Sequence, residues 1–163
     1  MDEETPTAVP AAAVDFADIM RRHHDYEARA AELFPANKAA LLKALGEQGI
    51  AKVLVRFDGA GDSGQIEEVT ALDDDSIERP IPDAAVKVEL QKIAFGDDAP
   101  QVVAETLTEA IDSLAYALLQ SSHCGWENNE GAYGDFTFDV AAGLITLEYH
   151  ERYETSELFT HEF

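Results

Sequence analysis

"RFDGAGDSGQIEEV", residues 56–69, decides between two folds. Read as G-x-G-x-x-G from Gly59 to Gly64, it asks for a phosphate-cradling turn, a following helix and a parallel sheet. Read as a hairpin, it asks for a returning strand and an antiparallel sheet. The flanks favour the hairpin. Val53, Val55 and Phe57 alternate with Leu54 and Arg56 before the glycines, and "QIEEVTAL" (65–72) alternates after them where the nucleotide fold needs a helix. Asp58 and Asp62 would also push a pyrophosphate away. The stretch therefore predicts a tight β-hairpin whose glycines supply positive φ.

Two other motifs overlap the same turn. G-D-S-G at residues 61–64 matches the nucleophile neighbourhood of chymotrypsin-like serine proteases, but the only histidines before Ser63 are His23 and His24, both on a predicted helix. A calcium loop starting at Asp58 fails the EF-hand spacing, because Ser63 rather than Gly stands sixth. A divalent-cation site from Asp58, Asp62 and a carboxylate of the second glycine loop stays open.

Outward from the hairpin, "AVKVEL" (85–90) predicts a third strand beyond the Pro80/Pro82 loop, and Asp73 to Asp75 a solvated turn. Phe136, Phe138 and Val140 predict another strand. Ile145, Leu147 and Tyr149 predict its hairpin partner through Ala141–Gly143, and "ELFTHEF" (157–163) a last strand. Three helices are expected. The first runs from Asp15 with Phe16, Ile19, Met20, His23, Ala30, Leu33 and Phe34 on one face, and Pro35 interrupts it; Leu41, Leu42 and Leu45 mark a second, short one. Pro100 opens the third, with Val103, Leu107, Ala110, Ile111, Leu114 and Leu118 as its apolar stripe and Glu105, Glu109 and Asp112 on its outer face. Residues 1–13 read as a flexible arm and 14–163 as a single α+β domain. Its expected make-up is N-terminal helices, a mainly antiparallel sheet of about six strands and one amphipathic helix packed on one face.

A chain of 163 residues that is 46% apolar has the means to bury a core. Cys124 is its only cysteine, so no intrachain disulfide forms, and the first residues lack the basic and apolar regions of a secretion signal. The cytoplasm is the expected location. Charge is the outlier, at −22 from 33 acidic and 11 basic residues. Residues 101–163 carry twelve acidic side chains against Arg152 alone. Such a surface repels nucleic acid and anionic membranes and steers basic partners.

The remaining motifs are short. "HCGW" (123–126) sets Cys124 beside His123, but sequence neighbours rarely share productive geometry, and anionic surroundings raise a thiol pKa. His23, His24, His150 and His161 show no metal-ligand spacing. "GWENNEGAYG" (125–134) frames Trp126, Glu127, Asn128, Asn129, Glu130 and Tyr133 with glycines. Either Trp126 plugs a sheet edge while the Asn pair forms turns, or the loop is a recognition surface.

Together, "VRFDGAGDSGQIEEV", "HCGWENNEGAYGDFTFDV" and "ITLEYHERYETSELFTHEF" resemble an uncharacterised domain-of-unknown-function family of small bacterial proteins found in genomes, plasmids and phage-related contexts. The likeness covers roughly residues 50–163. It pairs a G-D-S-G loop with a G-W-E-x-N-x-G-x-x-G loop and implies no activity. With both loops at one end of the sheet, Asp62, Ser63, Trp126, Glu127, Asn128 and Tyr133 would form one acidic, aromatic-edged patch.

Two functional expectations follow from these residues. One is a non-enzymatic inhibitor or binding protein whose anionic face, including Glu105, Glu109 and Asp112, occupies the basic nucleic-acid-binding surface of a partner protein, in the manner of anti-restriction or anti-CRISPR DNA mimics. The other is a small-ligand or divalent-metal site between the glycine loops, with Asp62 and Glu127 sharing a cation or splitting acid and base roles. No cofactor, direct nucleic-acid contact or membrane contact is expected.

Overall fold

The structure, a computed structural model, describes residues 15–163. The expected arm at 1–13 lies outside the described residues. The fold is α+β: helix α1 (Phe16–Glu47), strands β1 (Lys52–Ala60), β2 (Ser63–Leu72), β3 (Glu78–Arg79), β4 (Lys87–Lys92) and β5 (Gln101–Thr106), helix α2 (Leu107–Ser122), then β6 (Ala132–Asp139) and β7 (Leu144–Glu151). An antiparallel sheet of order β3-β2-β1-β6-β7 carries the fold, and β4 and β5 form a separate two-stranded ladder. The seven strands thus fall in two sheets where the sequence suggests about six in one.

The hairpin reading holds. Gly59 pairs with Gly64 and Ala60 with Ser63, leaving Gly61 and Asp62 as a two-residue turn. Both turn residues have positive φ, 61° and 66°, the requirement of a type I′ connection that matches the twist of its strands. At the other hairpin, Gly143 takes φ 65° and the Ala142 amide donates to Asp139 Oδ1 at 3.0 Å.

Alternation in β1 buries Val53, Val55 and Phe57 on one face, where they meet Phe136 and Phe138 of β6 and the buried stripe of α2 at Leu107, Ala110, Ile111, Leu114 and Leu119. The opposite face of the large sheet is open to solvent at Arg56, Glu68, Asp135 and Glu148.

Three expectations are corrected. Pro35 does not end the first helix; α1 runs through it for 32 residues. An interior proline costs about 3 kcal/mol, but the apolar stripe stays in phase across it. Leu41, Leu42 and Leu45 are buried beyond the proline, at ~1.5–3 kcal/mol each. Asn37 adds a two-way clamp, donating to the Gln91 carbonyl at 2.9 Å and accepting from the Gln91 amide at 2.8 Å.

Pro100 opens a strand and not the helix. Val102 and Val103 pair with Gln91 and Leu90 in the β4–β5 ladder. The helix starts at a capping box instead: Thr106 Oγ1 accepts from the Glu109 amide at 3.1 Å and Glu109 Oε2 accepts from the Thr106 amide at 2.8 Å. The predicted last strand is absent, since residues 152–163 join no ladder and expose Leu158, Phe159 and Phe163. Tyr153 to Ser156 offers no Gly or Asn turn to fold the chain back. Finally, β3 is an addition, two residues long and too short to show a period.

Candidate functional site

Both glycine loops lie at the same end of the large sheet and are bonded to each other. The Gly61 amide donates to the Asn129 carbonyl at 3.0 Å, and the Asp62 amide to the Glu127 carbonyl at 3.0 Å. These are the amides that the type I′ turn leaves outside its own ladder, so the second loop satisfies the first. Asn129 holds φ 58° and Gly131 φ 77°, which bends residues 125–131 into consecutive turns that aim those carbonyls.

Trp126 fixes the spacing between the loops. It is only 8% exposed and meets Phe57 edge-to-face at 5.4 Å between centroids. Its indole covers the Gly59–Gly64 pair so closely that a Cβ at Gly59 would stand 2.6 Å from Cζ3, and one at Gly64 2.3 Å from Cη2. The indole therefore plugs the sheet end and the Asn pair forms turns, which leaves the exposed side chains of Asn128, Asn129, Glu130 and Tyr133 facing solvent and removes Trp126 from the expected patch.

Arg152 closes the site from the open face. Nη2 donates to Asp58 Oδ2 at 2.8 Å and Nη1 to Oδ1 at 3.2 Å, with further bonds to the carbonyls of Gly59 at 3.1 Å and Ala132 at 3.4 Å. The guanidinium sits 4.7 Å from the Tyr133 ring, which stacks on His150 at 4.9 Å. Bonding to Asp58 stabilises the charged form and moves the Arg152 pKa further up. On the core face, His123 stacks on Tyr149 at 3.6 Å, and burial, followed by the charge of Glu151, raises the Tyr149 pKa.

A family of unknown function (DUF6878) matches residues 33–163. The chain belongs to this family. No curated protein and no solved structure matches it. The DUF6878 region holds both glycine loops, all seven strands, α2 and the second half of α1, while residues 16–32 of α1 precede it.

Within this DUF6878 fold, the predicted residues separate into two groups. Asp62, Ser63, Trp126, Glu127, Asn128 and Tyr133 all gather at the loop end; Asp62, Ser63, Asn128 and Tyr133 are exposed, Glu127 is half-buried and Trp126 is buried. Glu130 joins them on the exposed tip of the second loop. Glu105, Glu109 and Asp112 do not form the expected helix face. Glu105 lies in β5, 8% exposed, bonded to Lys92 and to Ser113 Oγ at 3.0 Å. Glu109 is engaged in the capping box, whose Thr106 amide and hydroxyl bonds lower its pKa. Asp112 has a buried Oδ1 without a partner among the described residues, and burial first, then Asp83, raises its pKa.

The Asp58–Arg152 clamp was not visible in sequence. Its signal is positional: Asp58 stands two residues before the β1 terminus, and Arg152 one residue past β7, two strands away in the sheet. Among the described residues no three His, Cys, Asp or Glu side chains converge as a metal-holding group. No helix among them is long and apolar enough to cross a membrane.

Proposed function

We propose that this DUF6878 chain is a non-enzymatic binding protein whose docked-loop end occupies a basic, nucleic-acid-binding surface of a partner protein. The observation that carries the reading is the pair of backbone bonds from Gly61 and Asp62 to Asn129 and Glu127. They lock two acidic loops into one surface presenting Asp62 and Glu130, with the half-buried Glu127 between them, while Arg152, the only Lys or Arg beyond Lys92, is engaged by Asp58. Carboxylates held on a fixed frame lose little entropy on docking, and a net charge of −22 steers a cationic partner from a distance.

The surface would displace nucleic acid by carrying the same sign of charge to the same cationic groups, which is the mode expected of anti-restriction or anti-CRISPR mimics. Exposed Ser63, Asn128 and Tyr133 supply the directional contacts around the carboxylates.

Affinity capture at low salt and at about 0.5 M salt tests the reading, because exposed charges are screened beyond ~8 Å already at physiological strength. The expected result is a nucleic-acid-binding protein retained at low salt, released by duplex DNA, and captured at least ~10-fold more slowly by the Asp62→Asn/Glu130→Lys variant. Asn tolerates the positive φ of position 62, so the variant keeps the turn. A captured partner indifferent to DNA and to both substitutions overturns the reading.

A further inference from the structure

We propose that the first half of α1 is a self-association element, through which two copies of the chain pair antiparallel along the stripe of Phe16, Ile19 and Met20. This half of the helix has a different status from the rest. Beyond Pro35, α1 is seated by Leu41, Leu42, Leu45 and the Asn37 clamp. Between Arg22 and Arg29 it is steadied by the loop after β4: the exposed Phe95 ring lies 5.7 Å from the Arg22 guanidinium, 6.1 Å from the His23 ring and 5.9 Å from Tyr26, and Arg29 donates to the Asp97 carbonyl at 3.3 Å. Among the described residues its opening segment, Phe16 to Met20, has no such cover, and Phe16, Ile19 and Met20 are 73%, 40% and 51% exposed.

The stripe is patterned, exposed at Phe16, Ile19 and His23 and half-buried at Tyr26, Ala30 and Leu33. Phe16, His23 and Ala30 repeat every seven residues, and Ile19, Tyr26 and Leu33 repeat in the same way three residues later. Two such interleaved rows give the first half of α1 the face that paired helices use, here over about two and a half heptads. Toward the body of the protein, the stripe runs into a groove of about 1130 Å³ between α1, α2 and β4, bordered by Leu33, Phe34, Leu90, Ile93 and Leu118.

Charge selects a second copy as the occupant. α1 carries five Lys or Arg and five Asp or Glu, so the whole formal charge of −22 lies outside it. It is the one long element on which two such anionic chains can meet without like-charge repulsion across the contact. An antiparallel arrangement keeps the two anionic bodies at opposite ends of the pair, which a parallel one would bring side by side.

Size agrees with that orientation. With the two-fold axis at His23, where the exposed Phe95 rings flank the seam and add to the contact, Phe16 of one copy stands opposite Ala30 of the other, since each lies seven residues, about 10 Å, from the axis. The large exposed end of the stripe then meets the small residues Ala28, Ala30 and Ala31 at the mouth of the partner groove. The same patch serves both copies, as a closed two-fold contact requires.

Salt gives self-association a signature opposite to partner capture. Screening removes the repulsion between two anionic bodies, so the pair tightens as salt rises, whereas docking on a cationic surface weakens.

Sedimentation equilibrium on the full chain tests the proposal. The expected mass is twice the 17.8 kDa monomer, with an affinity that increases between low salt and about 0.5 M salt. Ile19→Glu/Met20→Glu should return the monomer with unchanged far-ultraviolet dichroism, since neither residue is buried within one copy, while Leu158→Glu/Phe159→Glu in the exposed tail should leave the pair intact. In a Cys124→Ser background, Phe16→Cys/Ala30→Cys chains should join residue 16 of one copy to residue 30 of the other. A 17.8 kDa mass at 100 μM (about the highest concentration practical), a pair that survives the α1 substitutions, a pair lost only on changing the tail, or disulfides exclusively between like positions would each overturn the proposal.

Discussion

The Trp126 indole lies flat on Gly64, so near that a single Cβ there would come within 2.3 Å of Cη2. A Cβ on Gly59, its cross-strand partner, would stand 2.6 Å from Cζ3 of the same ring. Neither glycine is needed for a positive φ; both are needed for space. The two motifs separated by some sixty residues of sequence are thus one contact, in which the tryptophan of the second loop seats on the glycines of the first.

Gly64→Ala should therefore destabilise the fold by about 1–3 kcal/mol, the range for overpacking a filled site. The check is a denaturant titration, in which the midpoint falls at unchanged slope. Tryptophan emission should shift to the red in the native state as the indole is lifted toward water. An unshifted midpoint would mean that Trp126 has free room to retreat, contrary to its contact with Phe57.

Arg152→Lys is not a conservative change here. The guanidinium reaches Asp58 with two nitrogens and two backbone carbonyls with one of them, a fork that an ammonium does not reproduce. Hydrogen exchange at the Gly61 and Asp62 amides should accelerate in Arg152→Ala and recover only in part in Arg152→Lys. Equal protection in all three proteins would show that the loops hold each other without the clamp.

What the sequence discloses and what it hides follow from the range of the forces. The β1–β2 and β6–β7 hairpins are legible because alternation and turn chemistry are local, and Gly61–Asp62 and Gly143 sit where the turns need them. The docking of the loops is not, because it joins main-chain groups of Asp62 and Glu127 that carry no residue-specific mark. Pro35 and Pro100 mislead in opposite ways. Tertiary burial at Leu41 and Leu45 outweighed the first, and the real helix start after the second was written in Thr106-x-x-Glu109, a local signal that the proline eclipsed. Glu105 reads as an exposed helix residue only from the wrong helix boundary.

Glu105→Gln tests that reassignment. As a surface carboxylate it would tolerate the change within a few tenths of a kcal/mol; as the buried partner of Lys92 it should cost about 1–2 kcal/mol, below the 3–5 kcal/mol of a fully buried pair because Lys92 remains 42% exposed. The same variant should leave the capture of a basic partner untouched, whereas Asp62→Asn/Glu130→Lys should reverse the pattern, with little effect on stability and a large one on capture.

Asp112 and Asp73 should respond to pH with opposite signs. Burial, then the nearby Asp83, raises the Asp112 pKa above its ordinary 3.8, so the folded protein binds the proton more tightly than the unfolded chain. Its ionisation is therefore a penalty that is absent below 3.8 and fully present above the raised folded value. Asp73 is the reverse. The Ile77 amide, and then Arg79, hold its pKa below 3.8, giving stability that is present above 3.8 and lost as pH falls through the lowered value. Asp112→Asn should accordingly raise the melting temperature at pH 7, with a gain that shrinks toward pH 4, whereas Asp73→Asn should lower it at pH 7 by an amount that vanishes in acid below the lowered Asp73 value. Melting curves across that range decide the matter: a gain from Asp112→Asn that persists undiminished below pH 4 would mean the carboxylate is harmful for its shape and not for its charge.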